Sequence, residues 1–147
     1  MTNNTLNDFR ERGIYAQMLE DQPSALPVVS GTNRMNLNIT NNTINNPEVV
    51  SEHAILAQAG TLSGDAGQMC ANVTGNNAFA AGGNGIRMRA TQSTTLRLPN
   101  YVGPSTGAPI AAAETFVAGN NPLTTDTISV ATLGSGQLVG GAACATP

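Results

Sequence analysis

The sequence predicts an all-β fold, specifically a right-handed parallel β-helix (β-solenoid) of about three coils closed by an irregular C-terminal cap with one short helix. A block opening on Thr and rich in Asn recurs along the first 90 residues. Short runs of alternating apolar residues flank each copy. The composition is poor in charge and rich in Asn, Thr, Ala and Gly, as in repetitive β architectures.

The three copies are TNNTLNDFRERGIYAQ (2–17), TNNTINNPEVVSEHAILAQ (40–58) and TGNNAFAAGGNGIRMRA (74–90). They open on Thr2, Thr40 and Thr74, steps of 38 and 34 residues. A strand precedes the second and third openings, Met35–Ile39 and Met69–Val73. A further strand ends each block, at Gly13–Gln17, His53–Gln58 and Gly85–Arg89. The unit is therefore strand, Asn turn, small strand, variable loop, strand. Leu37 and Ile39 share one side of their strand, with Asn36 and Asn38 opposite; Ile14 and Ala16 face away from Tyr15 and Gln17. So small a unit cannot bury its apolar side alone, whereas stacked copies pair in parallel about 4.8 Å apart around a shared interior.

The Asn residues mark the corners. Asn3 and Asn4, Asn41 and Asn42, and Asn76 and Asn77 are predicted to stack there, because a corner needs a left-handed residue and Asn tolerates one. Their amides would bond along the axis as a ladder, beside a hydroxyl row of Thr2, Thr40 and Thr74. Length differences fall in loops: Gln22–Gly31, its shorter counterpart Gly60–Gln68, and an insertion at 46–52.

Residues 1–90 are thus the coils and 91–147 the capping segment of one compact domain. In the cap, Thr94–Leu98 is a last strand stopped by Pro99, and Pro109–Ala118 reads as a helix with Ile110, Ala113 and Val117 on one face. Strands follow at Ile128–Leu133 and Gln137–Val139. Cys70 and Cys144 are too far apart for a CxxC metal or redox pattern. They either pair, tying the tail to the second coil in an oxidising compartment, or stay buried thiols in a reducing one.

Net charge is −3, charged residues are 10% of the 147, Lys is absent and aromatics are 3%. Nucleic-acid binding, which draws on basic patches and stacking rings, is discarded. No run of eighteen apolar residues predicts a membrane span, and MTNNTLNDF lacks the basic and apolar regions of a signal peptide.

TTLRLPNY, AETFVAGNN and the final GGAACATP, with NITNNTI and GIYAQ before them, resemble the C-terminal end of large bacterial secreted or surface proteins built on right-handed β-helix repeats, of the adhesin or autotransporter-passenger kind. The resemblance implies an extracellular, bacterial cell-surface location, a structural or adhesive role and no catalytic residues. The expected function is a non-enzymatic module of a surface fibre or adhesin. One alternative is a self-assembling head-to-tail filament subunit, since an uncapped first coil would offer its edge to upstream coils or to another copy. Another is a carbohydrate-active lyase or hydrolase of β-helix fold.

His53, the only His, is expected at the surface on a strand edge, with no carboxylate cluster at ligand spacing. Glu11 and Glu52 precede equivalent strands and offer the paired carboxylates of a glycosidase, or salt bridges to flanking Arg10 and Arg12. Asp65 lacks the nonapeptide calcium repeat and reads as a turn residue. Arg87 and Arg89 share one side of a strand, with Arg97 nearby, and either solvate the outer face or hold an anion such as an acidic surface glycan. No cofactor, metal or catalytic residue is assigned.

Overall fold

The computed structural model describes residues 1–18, 34–45, 47, 48, 51–61 and 65–144. The expected loop Gln22–Gly31, residues 62–64 of the turn before Asp65, and residues 46, 49 and 50 of the insertion lie outside the described residues.

The chain is mostly β. In order it forms β1 (Thr5–Leu6), β2 (Arg12–Met18), β3 (Arg34–Thr40), β4 (Thr43–Ile44), β5 (His53–Ala59), β6 (Ala66–Thr74), β7 (Asn77–Ala78), β8 (Asn84–Thr91), β9 (Ser93–Arg97), α1 (Ala111–Asn120), β10 (Ile128–Leu133) and β11 (Gln137–Val139). These strands make three sheets, ordered β1-β4-β7, β10-β8-β5-β2 and β11-β9-β6-β3. Every described pairing is parallel. The chain visits the three sheets in a fixed cycle, and each visit adds one rung to a sheet.

Register explains the core. Ile14, Ile55, Ile86 and Ile128 are partners on successive rungs, and so are Met35, Met69, Leu96 and Leu138 on the facing sheet. Leu6, Ile44 and Ala78 line the third side. Ile14, Ile55, Ile86, Met69, Leu96 and Leu138 are each at most 1% exposed. Each such side chain contributes about 1.5–3 kcal/mol on burial. The inward positions carry aliphatics on every rung, so a register slip would turn the whole row outward.

The stretch 91–147, expected to be an irregular cap, also supplies β9, β10 and β11, which extend two of the sheets to four rungs. In the third sheet α1 and the segment after it take the next place. Here side chains replace a strand: Thr124 Oγ1 accepts from Ala78 N (3.2 Å) and donates to Asn76 O (2.8 Å), and Asp126 Oδ2 accepts from Ala80 N (2.9 Å). The free edge of β10 is engaged too. Ile110 N donates to Val130 O (2.9 Å), Thr132 N to Gly107 O (2.7 Å), and Val130 N to Glu114 Oε1 (3.2 Å). On β11, Leu138 N donates to Ser105 O (2.7 Å). Among the described residues, no strand pairs with the outer edges of β1, β2 and β3.

The helix runs two residues later than the sequence predicts, Ala111–Asn120 instead of 109–118. Ile110 stands just before it as the N-cap, with non-helical φ −113° and ψ 89°, and its N–H, which no helix bond would use, goes to Val130 on β10. The helix end is extended because the Asn121 side chain donates to Val117 O (2.8 Å), satisfying a last-turn carbonyl. Ile110, Ala113 and Val117 are buried on one face, and Phe116 meets Tyr101 edge-on with ring centroids 5.6 Å apart. Cys70 and Cys144 form a disulfide, with Cα atoms 5.5 Å apart. Such bonds persist in oxidising environments. Among the described residues, no helix is long and apolar enough to cross a membrane.

Candidate functional site

Two arrays of polar side chains stand out, one inside the corner and one on an outer face. The inner array is a chain of amides through Asn4, Asn42, Asn76 and Asn121. Asn42 Oδ1 accepts from both the backbone N and the Nδ2 of Asn4, each at 3.0 Å. Asn76 Oδ1 does the same for Asn42 at 3.0 and 2.9 Å, and Asn121 Oδ1 for Asn76 at 2.9 and 3.0 Å. The spare Nδ2 protons go to backbone carbonyls: Asn76 to Ile39 O (2.9 Å) and Asn121 to Val73 O (2.9 Å). Asn42, Asn76 and Asn121 are at most 1% exposed, so an unmade bond here has no water to replace it.

The other predicted ladder residues play different parts. Asn3 and Asn41 are exposed and hold the left-handed corner, both at φ 56°. In the third copy Gly75, at φ 69°, takes that corner, Asn76 takes the place of Asn4 and Asn42, and Asn77 lies in β7 opposite Thr43, outside the amide chain. Thr2 and Thr40 share a hydroxyl contact of 3.0 Å, but Thr74 Oγ1 donates to Asn72 Oδ1 (2.9 Å), so the hydroxyl row stops there. The fourth rung, Asn121, was missed in the sequence. Its signal is the Asn120–Asn121 pair, hidden because a helix precedes it.

The outer array lies on the sheet of β2, β5 and β8. A groove of about 480 Å³ is lined there by Arg12, Tyr15, Glu52, His53, Leu56, Gln58, Gly82, Gly83, Asn84, Arg87 and Arg89. Register builds it. Tyr15, Leu56 and Arg87 are partners across the three strands, as are Gln17, Gln58 and Arg89, and Arg12, His53 and Asn84. The close approach of Gly83 to the preceding rung permits this packing, since a Cβ there would fall 1.3 Å from Glu52 O.

His53 is buried, at 8% exposure, rather than at the surface as its sequence setting predicts. The cover comes from the next rung: Arg87 Nη1 lies 3.1 Å from Nε2, and Asn84 N lies 3.2 Å from Nδ1. Both neighbours are donors, and protonating the ring would set N–H against both. Burial first, and the Arg87 guanidinium second, hold the imidazole pKa below its ordinary value; Arg12 and Arg89 add to this and Glu52 opposes it. Arg12 pairs with Glu52, lies 3.8 Å from Glu11 Oε2, and stacks 4.8 Å from the centroid of Tyr15. Glu11 and Glu52 thus flank one guanidinium. Among the described residues, Arg87 and Arg89 have no carboxylate within ion-pair distance. The Nε atoms of Arg12, Arg87 and Arg89 are buried and meet no acceptor.

Asp65 is buried and accepts from Thr61 N (2.7 Å) within its turn, and Glu114 accepts from β10 as described. Among the described residues, no group of three or more His, Cys, Asp or Glu side chains is placed to hold a metal ion. No protein-family model, no curated protein and no solved structure matches the chain.

Proposed function

We propose that the chain is a non-enzymatic structural module of an extracellular surface fibre or adhesin, built as a right-handed parallel β-solenoid. The observation that carries this reading is the buried amide chain Asn4–Asn42–Asn76–Asn121. A continuous ladder of this kind fixes rung on rung and gives a stiff element whose backbone offers few open bonds to a protease. The Cys70–Cys144 bond supports service in an oxidising compartment, outside the cell and, by the sequence resemblance, on a bacterial surface. The head-to-tail filament is the weaker reading, because the far edges of β10 and β11 already spend hydrogen bonds on residues 105–114. The glycosidase reading is weaker as well, since Glu11 and Glu52 are both engaged by the Arg12 guanidinium.

The test combines proteinase K digestion with negative-stain electron microscopy of the purified chain. Survival of a core containing β5 to β11, seen as dispersed short particles, is the expected result. Rapid cleavage within those strands would overturn the structural role. So would polysaccharide cleavage that disappears in E11Q/E52Q.

A further inference from the structure

The outer groove is overloaded with donors. Its lining carries the guanidiniums of Arg12, Arg87 and Arg89 against the single carboxylate of Glu52, which Arg12 already engages. Arg87 and Arg89 occupy alternate positions of β8 and so share its outer side, roughly 7 Å apart along the strand. Two like charges at that distance repel, and each has a buried Nε without an acceptor. Burial and the neighbouring Arg87 together lower the Arg89 pKa, the mark of a cation short of counter-charge. Arg87 meets the His53 ring through one Nη, and among the described residues no carboxylate lies within ion-pair distance of either guanidinium. A planar carboxylate answers the deficit, because it accepts from a guanidinium through two parallel bonds.

The rest of the lining describes the remainder of the ligand. Tyr15 is 51% exposed, with Arg12 over one face of its ring; Leu56 lies beside it on the next rung but is buried, at 5% exposure. Gln58 and Asn84 add amide groups around them. An apolar platform ringed by amides suits a sugar, whose faces are apolar and whose rim is hydroxylated. Nucleic acid fits less well: it needs cations along many phosphates, and this chain has six basic residues and a net charge of −3.

We propose that this groove binds a carboxylated polysaccharide, with Arg87 and Arg89 holding the carboxylates and the exposed Tyr15 ring lying under a sugar. The inference needs only the outer face of the β2, β5 and β8 sheet and stands independently of the fibre role.

The experiment is isothermal titration of the intact oxidised chain at low salt with polygalacturonate, galacturonate monomer, dextran, inorganic phosphate and a single-stranded oligothymidine. Polygalacturonate should bind, with the monomer weaker and dextran silent. R87Q/R89Q should weaken the polymer at least tenfold, with its thermal transition retained. R34Q, at an exposed position on another sheet, should change nothing. Backbone amide shifts on titration should cluster at residues 82–89. Y15A should weaken the polymer several-fold while sparing the monomer's carboxylate contact. The proposal fails if no acidic glycan binds, if R87Q/R89Q binds as well as the parent chain, or if phosphate or oligothymidine competes as effectively as polygalacturonate. Should R87Q/R89Q fail to fold, the amide shifts of the parent chain decide alone, and shifts away from residues 82–89 overturn the site.

Discussion

Truncating Asn76 to Ala tests the amide chain directly. The Asn76 side chain is fully buried and makes five bonds: its Oδ1 accepts from Asn42 N (3.0 Å) and Nδ2 (2.9 Å), and its Nδ2 donates to Ile39 O (2.9 Å), Asn121 Oδ1 (3.0 Å) and Thr74 O (3.2 Å). Some partners keep a second bond: Asn42 Nδ2 still donates to Thr40 O (3.2 Å), and Thr74 O still accepts from Asn41 N (3.0 Å). The Asn42 N–H is left buried with no acceptor. Stranding it costs about 1–3 kcal/mol, and the weakened remaining bonds bring the expected loss to about 3–4 kcal/mol. For a chain of this size that lowers Tm by about 10 °C. Thermal and urea unfolding followed by far-UV circular dichroism measures the loss. N77A is the matched control: it removes an amide one residue away, in β7, that takes no part in the chain, and it should stay within about 1 kcal/mol of the parent. If N76A unfolds within about 1 kcal/mol of the parent, or if N77A costs as much, the ladder argument is wrong.

Three further outcomes are expected. G75A should destabilise by about 2 kcal/mol, because φ there is 69° and a Cβ would sit 2.2 Å from Asn41 Oδ1, whereas N41G should be close to neutral; chemical denaturation of both distinguishes them. Stability should be full above pH 6.5 and fall as pH drops from there through the folded-state pKa of His53, because the unfolded chain binds the proton that the folded ring resists; H53Q should flatten that limb in urea titrations run from pH 7.5 to 5. C70S, or reduction of the parent, should cost about 4 kcal/mol for a bond closing a 74-residue separation, read from unfolding midpoints with and without reductant.

Local pattern carried much of the fold. The strands β10 and β11 lie at the bounds the sequence predicts, Ile128–Leu133 and Gln137–Val139, and buried Val130, Thr132 and Leu138 alternate with less buried neighbours. The corner Asn residues were legible too, since the left-handed turn selects Asn or Gly at the first three corners, Asn3, Asn41 and Gly75. That interchange also misled: Gly75 replaces Asn at the third corner, so matching the Asn pairs puts Asn77 in the ladder, whereas Asn4, Asn42 and Asn76 each lie two residues after the opening Thr. The helix ends are met by bonds to β10 and from Asn121, neither of which lies within residues 109–118. The groove was the least legible feature. Arg87 and Arg89 show as a pair, but Arg12 and Tyr15 reach them only through two steps of register across β5. His53 was misplaced because its cover, Arg87 and Asn84, lies more than thirty residues away and arrives only when β8 docks.

The position of the disulfide sets the direction in which the molecule can come apart. Cys70 sits on β6 and Cys144 follows β11, so one covalent staple clasps the later layers while β1 to β5 lie outside it. Thermal fraying or a mechanical pull from the first strand can therefore peel β1 to β5 one by one before it meets the clasp, and the amides of the layers beyond it will be the last to yield their protons to solvent.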